Sequence, residues 1–204
     1  LFFITTGFID LDNDDDRRAF MSQKLFRAGA ASIREGIRNM SWDDVSRLAE
    51  QGHEIGSHTR NHASLIKVSS KALLEAEIIG SAYDIEKRSG LKVRSFAYPF
   101  GDIASINSDV LMTAKAQYDF VFSGVRGFNT SHTHPLAIRR DSVGFDYPPA
   151  YNNAVSYGLL SHLYTKDRAR LDIMAEGACN GSPQKHGPNW RDPAQQRPRG
   201  RRER

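Results

Sequence analysis

Two histidines four positions apart, His58 and His62, lie in the run Gly52-His53-Glu54-Ile55-Gly56-Ser57-His58-Thr59-Arg60-Asn61-His62. Neutral imidazole is the commonest zinc ligand, and two imidazoles at this spacing can converge on one ion from a turn or a first helical turn. Ser57 and Thr59 flank the first histidine with small hydroxyls that can support its ring. The same spacing also arises on solvated helix faces, so by itself it names a candidate metal site and no reaction.

Something must deliver the pair, and the flanking residues read as a strand that does so. Upstream, Ser41 followed by Asp44 predicts a cap for a helix over Trp42 to Gln51, with Val45, Leu48 and Ala49 inward and Gly52 as its stop. Leu1 to Thr6 is an apolar, β-branched run that suits a buried strand. Ser70 predicts the cap of a longer helix, with Leu73, Leu74, Ala76, Glu77, Ile78, Tyr83 and Ile85 in helical period and Ser89-Gly90 as its end. Arg94 to Tyr98, Phe120 to Ser123 and Leu136 to Arg139 read as further strands, and 108 to 117 and Asn153 to Glu176 as helices. Strand and helix alternate as in parallel βαβ units, which predicts an α/β barrel or barrel-like sheet. Such sheets carry working residues at the strands' C-terminal ends, where His58, His62 and Tyr98 fall.

Ser41-Trp42-Asp43-Asp44-Val45 through His62, followed by Arg94-Ser95-Phe96-Ala97-Tyr98-Pro99-Phe100-Gly101, resembles the polysaccharide deacetylase family with its NodB-type domain. The resemblance spans about residues 1 to 145. It implies a metal-dependent hydrolase that removes acetyl groups from an amino-sugar polysaccharide or oligosaccharide, with a divalent ion, most simply zinc, at His58 and His62. It further implies Tyr98 as a substrate-binding residue whose backbone N–H meets the oxyanion. Arg94 matches the arginine that orients the base, with a surface ion pair as the alternative. His162, in Leu160-Ser161-His162, has the letters of the family's proton donor. Arg139, in Arg139-Arg140-Asp141, matches a substrate-groove arginine, with a structural ion pair as the alternative. The family's Thr-Phe-Asp-Asp stretch, with its base and carboxylate ligand, occurs nowhere in the chain. The resemblance therefore implies an N-terminally incomplete, irregular barrel-like domain over residues 1–176, without its first strand. Asp10 and Asp12 are the carboxylates that could approach the histidines instead.

Composition bounds the rest. Residues 177–204 carry seven basic side chains against two acidic, a net +5, while the whole chain carries +4; the first 176 residues are thus about −1. The basic character belongs to that Arg-, Pro- and Gln-rich segment, which reads as a disordered tail and not as a specific nucleic-acid groove on the body. Cys179 is the only cysteine, so no internal disulfide is available. No apolar run is long enough to span a membrane. Localisation stays open between envelope or secretion, with a leader upstream, and the cytoplasm. Asp10 to Asp16 resembles a calcium loop only in part, because Asp15 stands where glycine is needed and Met21 where glutamate is, so the run reads as a solvated acidic loop. His132 and His134 read as solvated loop residues, and His53 as an inward core residue. Three function classes remain: an N-deacetylase, or an O-acetyl esterase or small-amide hydrolase on the same site; an inactive glycan-binding relative; and an interaction protein acting through the basic tail.

Overall fold

The computed structural model describes residues 1–26, 33 and 36–180; the expected disordered tail beyond residue 180 lies outside the described residues. In chain order the elements are β1 (Phe2–Ile4), α1 (Thr6–Ile9), α2 (Asp14–Phe20), α3 (Trp42–Glu50), β2 (Ile55–Ser57), α4 (Lys71–Ser89), β3 (Ser95–Ala97), α5 (Ser108–Lys115), β4 (Phe120–Phe122), α6 (Pro149–Ser156) and α7 (Thr165–Asn180). The four strands form one parallel sheet in the order β1-β2-β3-β4. The fold is α/β, as expected, with an open sheet among the described strands. The strand expected over Leu136 to Arg139 is a 3₁₀ turn at Pro135–Ala137 followed by a single parallel bridge from Ile138 to Phe122.

Register divides the sheet into two chemically different faces. Ile4, Ile55, Ser57, Phe96 and Val121 share one face, since Ile4 pairs Ser57, Ser57 pairs Phe96 and Phe96 pairs Val121. All five are buried, and α4 covers them with Ile78, Ala82 and Ile85, each fully buried. Burying each large apolar side chain contributes about 1.5–3 kcal/mol. Helices α3 and α5 pack against α4, and α7 packs against α5 to complete this layer. Inside it Ser81 of α4 meets the Ser57 hydroxyl, and the Tyr118 hydroxyl donates to Ile78 O at 2.5 Å, so these three hydroxyls are paired, whereas the buried Tyr98 hydroxyl has no partner among the described residues.

The other face holds Phe3, Gly56, Ala97 and Phe122. Phe3 and Phe122 lie edge to face with centroids 5.1 Å apart, although two strands separate them. Glycine at position 56 makes this contact: a Cβ there would stand 2.7 Å from the Phe3 ring and 3.0 Å from Ser95 O.

The caps explain why the helices start where they do. Ser41 and Asp44 form a reciprocal capping box on α3, and the side chains of Ser70 and Asn107 accept from Leu73 N–H and Val110 N–H at the starts of α4 and α5. Gly90, at φ +71°, closes α4 in a left-handed turn. Two boundaries differ from expectation. The single helix expected over Asn153 to Glu176 is two helices separated by Gly158 (φ +68°) and a 3₁₀ turn, and α7 runs on to Asn180, with Ala178 in the core. The acidic run, expected as a solvated loop, is one only as far as Asn13; Asp14 to Asp16 form the capped start of α2, where Asn13 accepts from Asp16 N–H at 2.8 Å.

Candidate metal site

His58 leaves the sheet at the end of β2 and stays tied to it. Its N–H donates to Ile4 O at 2.9 Å, and its ring Nδ1 lies 2.8 Å from Ala97 O at the end of β3. His62 places its Nδ1 2.9 Å from the carbonyl of Lys24, in a π-helical turn over Met21–Leu25. A carbonyl only accepts, so each ring carries a proton on Nδ1, and Nε2 is the ring nitrogen left for any acceptor or ligand role. The two rings are edge to face with centroids 5.0 Å apart. Burial is the main cause that pushes His58 down to about 4; the Ala97 bond opposes it, while His62 and Arg140 add to it. His58 is therefore a neutral imidazole at neutral pH, the form a metal requires.

The turn between the histidines is strained and heavily anchored. Thr59 and His62 sit at φ +66° and +52°, a region that costs about 1–3 kcal/mol for a residue with a side chain. Thr6 N–H and Gly7 N–H donate to Thr59 O and Arg60 O, and Arg60 N–H donates to Glu77 O. The Glu77 carboxylate accepts from Asn61 N–H at 2.9 Å and from its side-chain amide at 2.6 Å. Arg60 reaches Asp84 through two bonds, 2.7 and 2.9 Å, and Thr6 donates to the same carboxylate at 3.2 Å. Thus α4 and the turn after β1 clamp the segment from both sides. After β3, Phe100 (φ +65°) stands edge-on to His62 at 4.9 Å.

The donor set fits a divalent ion in part. Two imidazoles with oriented Nε2 atoms are what zinc takes from histidine, and backbone carbonyls on Nδ1 are the usual outer support. Among the described residues no third histidine, cysteine or carboxylate joins them. Asp10 in particular points elsewhere, accepting from Trp42 Nε1 at 2.9 Å and lying 3.4 Å from Arg88.

The remaining expected site residues are not gathered here. Tyr98 follows β3, but its N–H donates to Phe122 O at 3.1 Å, so it is committed to the sheet and does not await an oxyanion. Its ring is fully buried against Phe96, and burial drives its hydroxyl far above the usual phenol range. Arg94 lies at the opposite, N-terminal end of β3, where its exposed side chain pairs with Asp119 at 2.7 Å and lies over Phe120. Arg139 pairs with Asp172 of α7 at 2.6 Å and donates to Phe128 O. His162 lies in an exposed 3₁₀ turn with Nδ1 against Leu159 O. His53, expected inside, is exposed beside Phe2. His134, expected in solvent, accepts from Leu136 N–H and faces Cys179 Sγ at 3.2 Å.

Sequence reasoning missed Lys24, Glu77 and Arg140. Lys24 acts through its carbonyl, which no side-chain pattern reveals. Glu77 did leave a signal, because a carboxylate on the inner stripe of a helix must find a donor.

The polysaccharide deacetylase family model matches residues 2–121, more than half of the 204. Among curated proteins, a gellan lyase from a Bacillus species is 30% identical over 115 residues, which is 53% of this chain but 4% of that protein. A solved Streptococcus pyogenes deacetylase, in complex with acetate, is 20% identical with a TM-score of 0.50, covering 62% of this chain and 51% of that one. A solved Bacillus anthracis protein described as a polysaccharide deacetylase is 24% identical with a TM-score of 0.50, covering 59% of this chain and 37% of that one. The two solved structures share the fold, and the sheet with its helical layer and the matched residues converge on one conclusion: this chain belongs to the polysaccharide deacetylase family.

Proposed function

We propose that the chain is a metal-dependent hydrolase of N-acetylated amino-sugar polysaccharides or oligosaccharides, with His58 and His62 as two ligands of a divalent ion, most simply zinc. The observation that supports this reading is the pair of Nδ1 contacts to Ala97 O and Lys24 O, which makes Nε2 the nitrogen each ring would use to coordinate. When bound, such an ion supplies Lewis acidity toward an acyl oxygen and lowers the pKa of water. The chain's own part is to fix the ligands. Ala97 and Lys24 hold the tautomers, burial keeps His58 neutral, and the Phe100 ring closes one side of His62.

Zinc titration of the purified chain by calorimetry, beside His58→Ala and His62→Ala, tests this. One ion per chain, lost in either variant, is expected. Binding that is absent, or unchanged by both substitutions, would sink the reading. Acetate release from N-acetylated against O-acetylated glycans then separates an amidase from an esterase.

A further inference from the structure

Arg140 stands apart from the other arginines around the sheet. Its neighbour Arg139 is paired with Asp172, Arg60 with Asp84, and even the exposed Arg94 with Asp119. Arg140 has no carboxylate among the described residues. Its Nε donates to Ser123 O at 2.8 Å, and its guanidinium lies 5.4 Å from the centroid of Phe3. The same phenyl ring stands 6.3 Å from the His58 ring. Phe3 is thus the floor shared by the candidate ligand and the cation, at the end of the sheet where β2 and β4 give way to loops.

A guanidinium keeps its charge throughout the working pH range. Burial lowers the pKa of Arg140, the sign of a cation held where water solvates it poorly. A part-buried charge without a counter-ion is costly, and an arriving anion removes that cost. With Nε committed to Ser123, the two terminal amino groups remain as a fork whose spacing matches a carboxylate.

We propose that Arg140 is a carboxylate-receiving residue of the site, taking acetate or a carboxylate carried by an N-acetylated sugar. The identity of the carboxylate rests on the deacetylase reading; the presence of an anion site does not.

Ligand-detected NMR on the purified chain without added metal tests it with three probes: labelled acetate, N-acetylmuramic acid, which carries a carboxylate, and neutral N-acetylglucosamine. One or both carboxylates bind, and the neutral sugar binds more weakly than the acidic one. Arg140→Gln weakens the binding about tenfold or more, Arg140→Lys less, and exposed Lys71→Gln not at all. Acetate alone identifies product, and the acidic sugar alone identifies substrate. No carboxylate binding to the unaltered chain, or equal binding in Arg140→Gln with the Lys variant also unchanged, overturns the proposal. Zinc binding is read separately: loss of the metal reading with Arg140-dependent carboxylate binding intact leaves this inference standing, and the reverse result removes it alone.

Discussion

Two carbonyl oxygens, Ala97 O and Lys24 O, accept from Nδ1 of His58 and His62 and so make Nε2 the nitrogen that the proposed ion would meet. The depressed pKa of His58 has a consequence for stability. Its ordinary value is 6.5 and its folded value about 4, so between these limits the unfolded chain binds a proton that the folded chain does not. The contribution of neutral His58 is fully present above about 6.5, drains as pH falls toward 4, and is gone below it. The shift corresponds to about 3 kcal/mol. Urea unfolding of the metal-free chain should therefore show a stability loss between pH 7.5 and 4.5 that shrinks in His58→Gln. An identical loss in the variant would assign the acid sensitivity to other groups.

At the scale of elements, the site is a strained turn held between α4 and the segment after β1. Glu77 holds Asn61 at the centre of that turn. Glu77→Ala should cost about 1 kcal/mol of stability, since the bonds are exposed, and weaken zinc binding about tenfold by loosening His62. Calorimetry on the folded variant checks this, and unchanged affinity would show that the other anchors suffice. The turn after β3 depends on Gly101, which sits at φ +71° with Gly124 N only 2.5 Å from where its Cβ would be. No flexible side chain can yield there. Gly101→Ala should cost roughly 2–4 kcal/mol, read as a lowered midpoint in urea.

At the scale of the whole molecule, α7 closes the helical layer. Leu171 and Ala175 are fully buried, Ala178 is in the core, and Lys115 Nζ donates to Ala178 O at 2.6 Å. A chain ending at residue 176 should melt lower than one ending at 180. Equal melting of the two shortened chains would mean that the last turn of α7 contributes nothing. No described helix is long and apolar enough to cross a membrane.

Sequence by itself determined the elements whose signals are local. Ser41 with Asp44, Ser70 and Gly90 marked helix ends because caps act within one turn, and short apolar runs marked strands because a parallel sheet is covered on both faces. The His-x3-His spacing was legible for the same reason. Tertiary structure alone decided which polar groups meet. Tyr98 N–H went to Phe122 O because β3 and β4 pair there, and Arg139 went to Asp172 because α7 folds back against that segment. Arg140, adjacent in sequence, points to the opposite partner set beside His58, because neighbouring side chains leave an extended backbone on opposite sides. Such contacts join residues tens of positions apart, and their geometry is set by packing, which no local pattern encodes.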